Sequence, residues 1–154
     1  MPTNVRKINP IDLEPDVAVG IMLPMTDTNG TLFKLSYTTQ EQAVSNLKNL
    51  LLTIRGERPM QPMFGTTIQR SLFEQITPSL LERIENSVRT AIEYWLPYII
   101  LEDLELEGFY GEVNGMEEHG IYLRLWVKIT QDGANIPIVL FYTPTTIQVI
   151  EQYE

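Results

Sequence analysis

The sequence has no cysteine. Disulfides, thiolate metal sites and a cysteine nucleophile are therefore excluded, and the absence suits a chain that folds in a reducing cytosol. Histidine is nearly absent too, since His119 stands alone. One imidazole excludes a multi-histidine metal centre, and it makes any Ser/His/Asp triad depend on that one side chain. Basic residues are scarce: 11 Lys and Arg face 20 Asp and Glu, a net charge of −9. Bulk electrostatics thus oppose binding to nucleic acid or to an anionic membrane. No apolar run approaches the length of a membrane-spanning helix. The charged N-terminus MPTNVRKINPIDLEPD has no apolar segment behind it, so no secretory signal is expected. Gly-x-Gly-x-x-Gly, a P-loop and a Gly-x-Ser-x-Gly nucleophile elbow are all missing.

What remains is an ordinary globular composition, with 44% hydrophobic and 20% charged residues. A chain of this length buries roughly 68–70% of its unfolded surface, enough for a real core. Residues 1–16 read as a polar, Pro- and Asp-containing arm. Residues 17–23 and 31–36 read as two strands about an Asn29-Gly30 turn. Thr39 and Gln42 fit a capping box that opens a helix. Ala43, Leu47, Leu50, Leu51 and Ile54 mark its apolar face, and Gln42, Asn46, Lys48 and Asn49 the other. Gly56 occupies the position of a C-terminal helix cap, and Pro59 and Pro62 oppose continuation. Residues 66–75 suggest a short second helix. Thr77-Pro78 then starts a third, with Leu81, Ile84, Val88, Ile92 and Trp95 as its stripe. Pro97 ends it.

Beyond Pro97 the period falls from 3.6 to 2. Leu104 and Leu106 alternate with acids, and Ile121, Leu123, Leu125, Val127 and Ile129 alternate with polar or amphipathic residues. Residues 136–142 form the next strand after an Asp132-Gly133 turn, and residues 144–154 are ambiguous. The expected class is α+β: an antiparallel meander of about three strands packed against two to three helices, with an N-terminal arm or β-hairpin. The expected organisation is an arm over 1–36 and one domain over 37–154.

Chemistry is harder to find. His119 lies in Glu117-Glu118-His119-Gly120, which reads as a surface turn; a metal role with Glu117 and Glu118 matches no established spacing. Residues 102–118 hold seven acids and no base, which reads as a solvated sheet face or as a surface for a basic partner. Glu57 and Glu74 are the best carboxylate pair for a glycosidase, although Glu57 beside Arg58 also suits a structural ion pair and Glu74 ends a helix. The unusual feature is GERPMQPMFG over 56–65, whose two glycines and two prolines fix the backbone. Such rigidity lowers the entropy lost on binding. Arg58 offers a planar fork to carboxylates or carbonyls, while Met60, Met63 and Phe64 are either core plugs or contact residues. Residues 46–75 are therefore expected to serve assembly, with no catalytic residue, cofactor or metal.

Asn49-Leu50-Leu51-Leu52-Thr53, Gly56-Glu57-Arg58, Pro62, Phe64-Gly65, Ile68 and Leu72-Phe73-Glu74, in this order and spacing, resemble the baseplate wedge subunits of contractile phage tails. This lysozyme-like family is also related to the sheath-initiator baseplate protein of type VI secretion. The helix exit AIEYWLPYIIL is similar in character, and INP-x-D-L with G-I-x-L-P resembles longer members, so the likeness covers roughly residues 8–130. Two departures stand out. Leu96-Pro97-Tyr98 replaces a Glu-Pro-Arg motif, and Met63 replaces an acid. The resemblance implies a structural virion protein of the tail baseplate, assembled in the host cytoplasm. It implies a link from wedge to central tube and a template for the first sheath ring, made by adding a strand to an open sheet edge, with 136–142 as the candidate strand. Its implied partners are other baseplate wedge proteins, tail tube or hub proteins and the tail sheath protein. Its assembly or structural motif is Gly56, Glu57, Arg58, Pro62, Phe64, Gly65, Phe73 and Pro97. The rival reading is a peptidoglycan hydrolase acting in the tail.

Overall fold

A computed structural model describes residues 10–23, 33–113, 116–129 and 135–151. The elements run in order as a 3-10 turn (Pro10–Leu13), β1 (Gly20–Ile21), β2 (Leu35–Ser36), α1 (Thr39–Leu52), α2 (Ile68–Ser71), α3 (Pro78–Trp95), β3 (Ile100–Val113), β4 (Met116–Lys128), β5 (Ile136–Tyr142) and β6 (Ile147–Glu151). The class is α+β, as expected. The chain divides into two compact units, Met1–Asn49 and Leu50–Glu154, with the division falling inside α1.

In the first unit β1 and β2 pair antiparallel, Gly20 opposite Ser36 and Ile21 opposite Leu35. They are shorter than the expected strands, and the Asn29-Gly30 turn lies outside the described residues. The cap of α1 sits one residue earlier than the sequence suggested. Thr38, not Thr39, accepts from the Glu41 amide (3.2 Å), and Glu41 Oε2 accepts from the amides of Tyr37 and Thr38 (3.1 and 3.4 Å). This is a Thr38/Glu41 capping box. Thr39 is thereby free to donate its N–H and hydroxyl to Asp12, both at 2.7 Å, which ties the 3-10 turn to the helix start. Gln42 accepts from the Ser36 hydroxyl (2.6 Å) and donates to Asn46 (2.9 Å). Lys48, placed by periodicity on the solvent face, is 1% exposed and donates to the Leu23 carbonyl at 3.3 Å. Burial beside Lys34 lowers its pKa. A buried ammonium is tolerated when hydrogen-bonded, a condition that helical period does not reveal.

The second unit is built on one antiparallel sheet in the order β3-β4-β5-β6. The meander has four strands where about three were expected, because the ambiguous tail forms β6 on β5 (Val139 opposite Ile150, Leu140 opposite Val149). Residues 136–142 are consequently an interior strand, paired on both sides, and not the open edge proposed for them. Ile121, Leu123, Leu125 and Val127 of β4 alternate into the core, matched by Ile136, Ile138, Leu140 and Tyr142 of β5. The opposite face carries Tyr122 stacked on Phe141, ring centres 4.3 Å apart, with Phe109 edge-on to both. The β3–β4 ladder runs from Ile100/Lys128 to Val113/Met116 with one irregularity at Leu101/Asp103. The Asn114-Gly115 and Asp132-Gly133 connections lie outside the described residues.

Helix α3 starts as its sequence requires. Thr77 is extended and its hydroxyl accepts from the Leu80 amide, with proline in the first turn. It packs against β3 and buries Leu80, Ile84, Val88, Ala91 and Ile92. Leu80 takes the place expected for Leu81. The second helix, expected over 66–75, covers only Ile68–Ser71. Its late start follows from Thr66 and Thr67, which are committed to the loop and to α3 through Thr66–Thr53 and Thr67–Ser87 hydrogen bonds. Beyond Ser71 the chain tightens into turns in which Phe73 N–H donates to Arg70 O (3.3 Å) and Glu74 N–H to Ser71 O (3.1 Å).

Candidate functional site

The segment 53–66 between α1 and α2 closes on itself. Ile54 and Thr66 form a parallel bridge. Arg55 N–H donates to Thr66 O (3.1 Å), Thr66 N–H to Thr53 O (3.0 Å), and Gly56 N–H to Pro62 O (2.8 Å). Gly56 has φ +93° and Gly65 φ +110°, the left-handed region where glycine is favoured. Positive φ at Gly56 agrees with the sequence, but the glycine is not the cap of α1. The helix stops at Leu52, and its last carbonyls are met by tertiary partners instead. Leu51 O accepts from the Thr66 hydroxyl (3.3 Å) and from Tyr142 Oη (3.1 Å), and Leu52 O accepts from Gln69 Nε2 (2.7 Å). A helix end satisfied this way needs no glycine. Gly65 is required by space. A Cβ there would lie 3.0 Å from the Thr53 carbonyl carbon and 3.1 Å from the Arg55 nitrogen.

The proposed motif residues separate into two groups. Gly56, Glu57, Arg58, Pro62, Phe64 and Gly65 share the closed loop. Glu57 Oε2 accepts from the Ile54 amide at 3.0 Å, fixing the turn from within. The Arg58 guanidinium lies over the Phe64 ring, 4.1 Å from its centre. Phe64 is buried and meets Trp95 of α3 edge-on at 5.2 Å, and Trp95 in turn meets Tyr94 at 5.0 Å. Arg58, Phe64 and Trp95 thus pin the loop to the last turn of α3 through cation–π and edge contacts, each worth about 0.5–1.5 kcal/mol. Phe64 is the core plug, whereas Met60 is 93% exposed and Met63 60%. Pro97 stands apart from the loop, in the turn after the Leu96 cap of α3. In the departing Leu96-Pro97-Tyr98 segment Leu96 is buried and Tyr98 is exposed. Only Tyr98 therefore presents a side chain where the related motif carries its charges.

Phe73 belongs to a different place. It is 78% exposed and lines an open cleft of about 910 Å³ together with Gly56, Glu57, Gln69, Arg70 and the 143–147 turn into β6. Sequence reasoning missed Arg70 and the tail strand, because a lone arginine and a short apolar tail carry no signature. It also misplaced His119. That residue is in β4, opposite Tyr110, with its ring stacked on it at 6.5 Å, and its Nε2 lies 2.6 Å from the Leu72 carbonyl. A carbonyl only accepts, so Nε2 carries the proton. No cluster of three or more metal-ligating side chains occurs among the described residues, and the side chains of Glu117 and Glu118 lie outside them. The acidic strand β3 is partly balanced from β4: Arg124 meets Glu107 (3.2 Å) and Glu105 (3.7 Å), and Lys128 meets Glu102 (3.1 Å). Glu74 pairs with Arg83.

These features define a small α+β protein in which a clamped loop joins two helices beside an antiparallel meander. The chain belongs to the family described as baseplate wedge protein gp25, whose profile matches residues 38–130. The segment resembling longer members, before residue 38, falls outside that match. The baseplate wedge protein gp25 of Enterobacteria phage T4 is 31% identical over 55 residues, which is 36% of this chain and 42% of that protein, so the match spans less than half of the relative's length. Two solved structures share the fold. The anti-feeding prophage baseplate contains a chain 24% identical, with a TM-score of 0.57, covering 73% of this chain and 86% of that one. A protein of Geobacter sulfurreducens titled a putative tail lysozyme is 23% identical, with a TM-score of 0.55, covering 69% and 91%. The chain is thus a baseplate-wedge-type structural protein of a phage or phage-like tail.

Proposed function

We propose that this protein joins the baseplate wedge to the central tube and templates the first ring of tail sheath by strand addition. Its partners are other wedge proteins, tube or hub proteins and the sheath protein. It resides in the virion tail, is assembled in the host cytoplasm, and performs no catalysis.

The observation that supports strand addition is the difference between the two sheet edges. The outer strand β3 carries exposed Glu102, Asp103, Glu105, Glu107 and Glu112, and charge along an edge opposes pairing with another chain. The other outer strand, β6, reads IQVIE, with its one acid at the far end. Its outer main-chain groups form an edge suited to β-augmentation. Against catalysis stand the contacts of the best carboxylate pair. Glu57 is held by the Ile54 amide and Glu74 by Arg83. The lysozyme name of one structural neighbour comes with 23% identity, which speaks for the fold alone.

Deleting the gene from a tailed particle and imaging the products tests this reading. Tails with a tube but no ordered sheath are expected, and normally sheathed tails would refute it. A peptidoglycan turbidity assay on the pure protein tests the hydrolase. Clearing that Glu57→Gln and Glu74→Gln both abolish would replace the structural reading with the enzymatic one.

A further inference from the structure

Of the two charged groups lining the cleft beside Phe73, Glu57 and Arg70, only the arginine has a side chain without a partner among the described residues. Glu57 is committed to the Ile54 amide and Gln69 to the Leu52 carbonyl. The Thr143 hydroxyl accepts from the Thr146 amide (2.9 Å) and donates to the Thr146 carbonyl (2.8 Å). The Arg70 guanidinium, in contrast, has no ion pair, hydrogen bond or ring contact among the described residues, and it is exposed. It lies against Gly56, whose missing side chain leaves it uncovered; a Cβ there would come within 3.3 Å of Nη2. In a chain with net charge −9, Arg70 gives this cleft a cation with no ion pair among the described residues, beside a Glu57 carboxylate that is turned to the Ile54 amide. The apolar wall beside it is Leu72, Phe73 and Ile147, and Ile147 is the first residue of β6. The free edge strand and the cleft therefore meet at one point.

We propose that this cleft is the specificity pocket of the strand-addition site. Its occupant is an extended segment of a partner protein. That segment's main chain pairs along β6, one aliphatic side chain rests on Phe73 and Ile147, and one Asp or Glu side chain at the same end pairs with Arg70. The inference rests on the strand-addition reading and adds the chemistry of the partner. Main-chain pairing alone is indifferent to sequence, and pockets for particular side chains supply the selectivity. An arginine fork matched to a carboxylate does so with two parallel hydrogen bonds. The acids of β3, only partly balanced by Arg124 and Lys128, disfavour such a segment there, so Arg70 also selects the edge.

The test uses the full-length protein labelled with 15N and titrated with short blocked peptides of alternating Thr and Val. One peptide carries Glu at both ends, which allows either strand direction. A second carries Gln there, and a third is the Glu peptide with an N-methylated backbone. Chemical-shift changes at the β6 amides are expected for the first two and not for the third. The Glu peptide is expected to bind about fivefold more tightly than the Gln peptide at low salt, as an exposed ion pair allows. Arg70→Gln is expected to remove that preference and Arg70→Lys to retain part of it. Equal binding of the Glu and Gln peptides, or a preference that survives Arg70→Gln, overturns the pocket while leaving strand addition standing. No response at the β6 amides to any peptide overturns strand addition itself. Concentration-dependent β6 shifts in the protein alone would make a second copy the occupant and refute the proposed partner.

Discussion

Tyr142 Oη donates a hydrogen bond to the Leu51 carbonyl, 3.1 Å away, and both residues are fully closed to solvent. The bond joins the end of β5 to the last turn of α1 across 91 residues of sequence. It satisfies a carbonyl that no intrahelical amide reaches. Tyr142→Phe is expected to cost about 1 kcal/mol in urea denaturation, since Thr66 still donates to the same carbonyl. Burial also raises the Tyr142 phenol well above its ordinary value of 10.0. The folded state then keeps a proton that the unfolded chain releases above about pH 10. Stability contributed by the neutral phenol is complete below that pH and falls as pH rises beyond it. The wild-type protein should lose stability more steeply than Tyr142→Phe between about pH 10 and 11, measured by circular dichroism in urea.

Gly65→Ala combines a positive φ of 110° with a Cβ pressed against the backbone of Thr53 and Arg55. The expected loss is about 3 kcal/mol or more, because strain and overpacking add. Gly56→Ala meets only the end of Arg70. It should cost about 1 kcal/mol, the backbone penalty alone. A melt of the two variants side by side checks the order.

Moving the helix cap from Thr39 to Thr38 makes a sharp distinction. Thr38→Ala removes the side chain that accepts from the Glu41 amide and should destabilise α1 by about 1 kcal/mol. Thr39→Ala removes only one of two bonds to Asp12, because the Thr39 amide still donates to the same oxygen. Amide hydrogen exchange in the first turn of α1 should quicken in the first variant. In the second it should change little there.

Phe64→Ala empties the space between Arg58 and Trp95. The expected cost is about 3 kcal/mol, as for other buried aromatics. Arg58→Lys keeps the charge and loses the planar stack, for about 0.5–1 kcal/mol. Tryptophan fluorescence in a Trp126→Phe background, where Trp95 is the remaining indole, reports both, with a larger change for the phenylalanine variant.

Much of the fold was legible because it is local. The Thr77-Pro78 start and the buried stripe of α3 follow from capping and from a period of 3.6. Strand β4 follows from a strict alternation of apolar and polar residues. The spacing of Gly56-Glu57-Arg58, Pro62 and Phe64-Gly65 led to the family for the same reason, since a closed loop fixes its own residues. Errors fell where two nearby residues suit one role. Thr38 and Thr39 both fit an N-cap, and Asp12 decided between them from 27 positions away. Lys48 fits a solvent face until the Leu23 carbonyl is placed over it. The short tail 147–151 has too little pattern to be a strand alone, and pairing with β5 makes it one.

The sequence by itself determined α1, α3, β4 and β5, the positive φ of Gly56 and the family, because each depends on neighbours in the chain. Tertiary structure decided that β5 is an interior strand with β6 outside it, and that Tyr142 and Thr66, not a glycine, close the end of α1. It also brought Arg70, Phe73 and Ile147 to one cleft. Those outcomes depend on hydrogen-bond and packing partners far apart in sequence, whose chain-closure entropy is met only by the completed core.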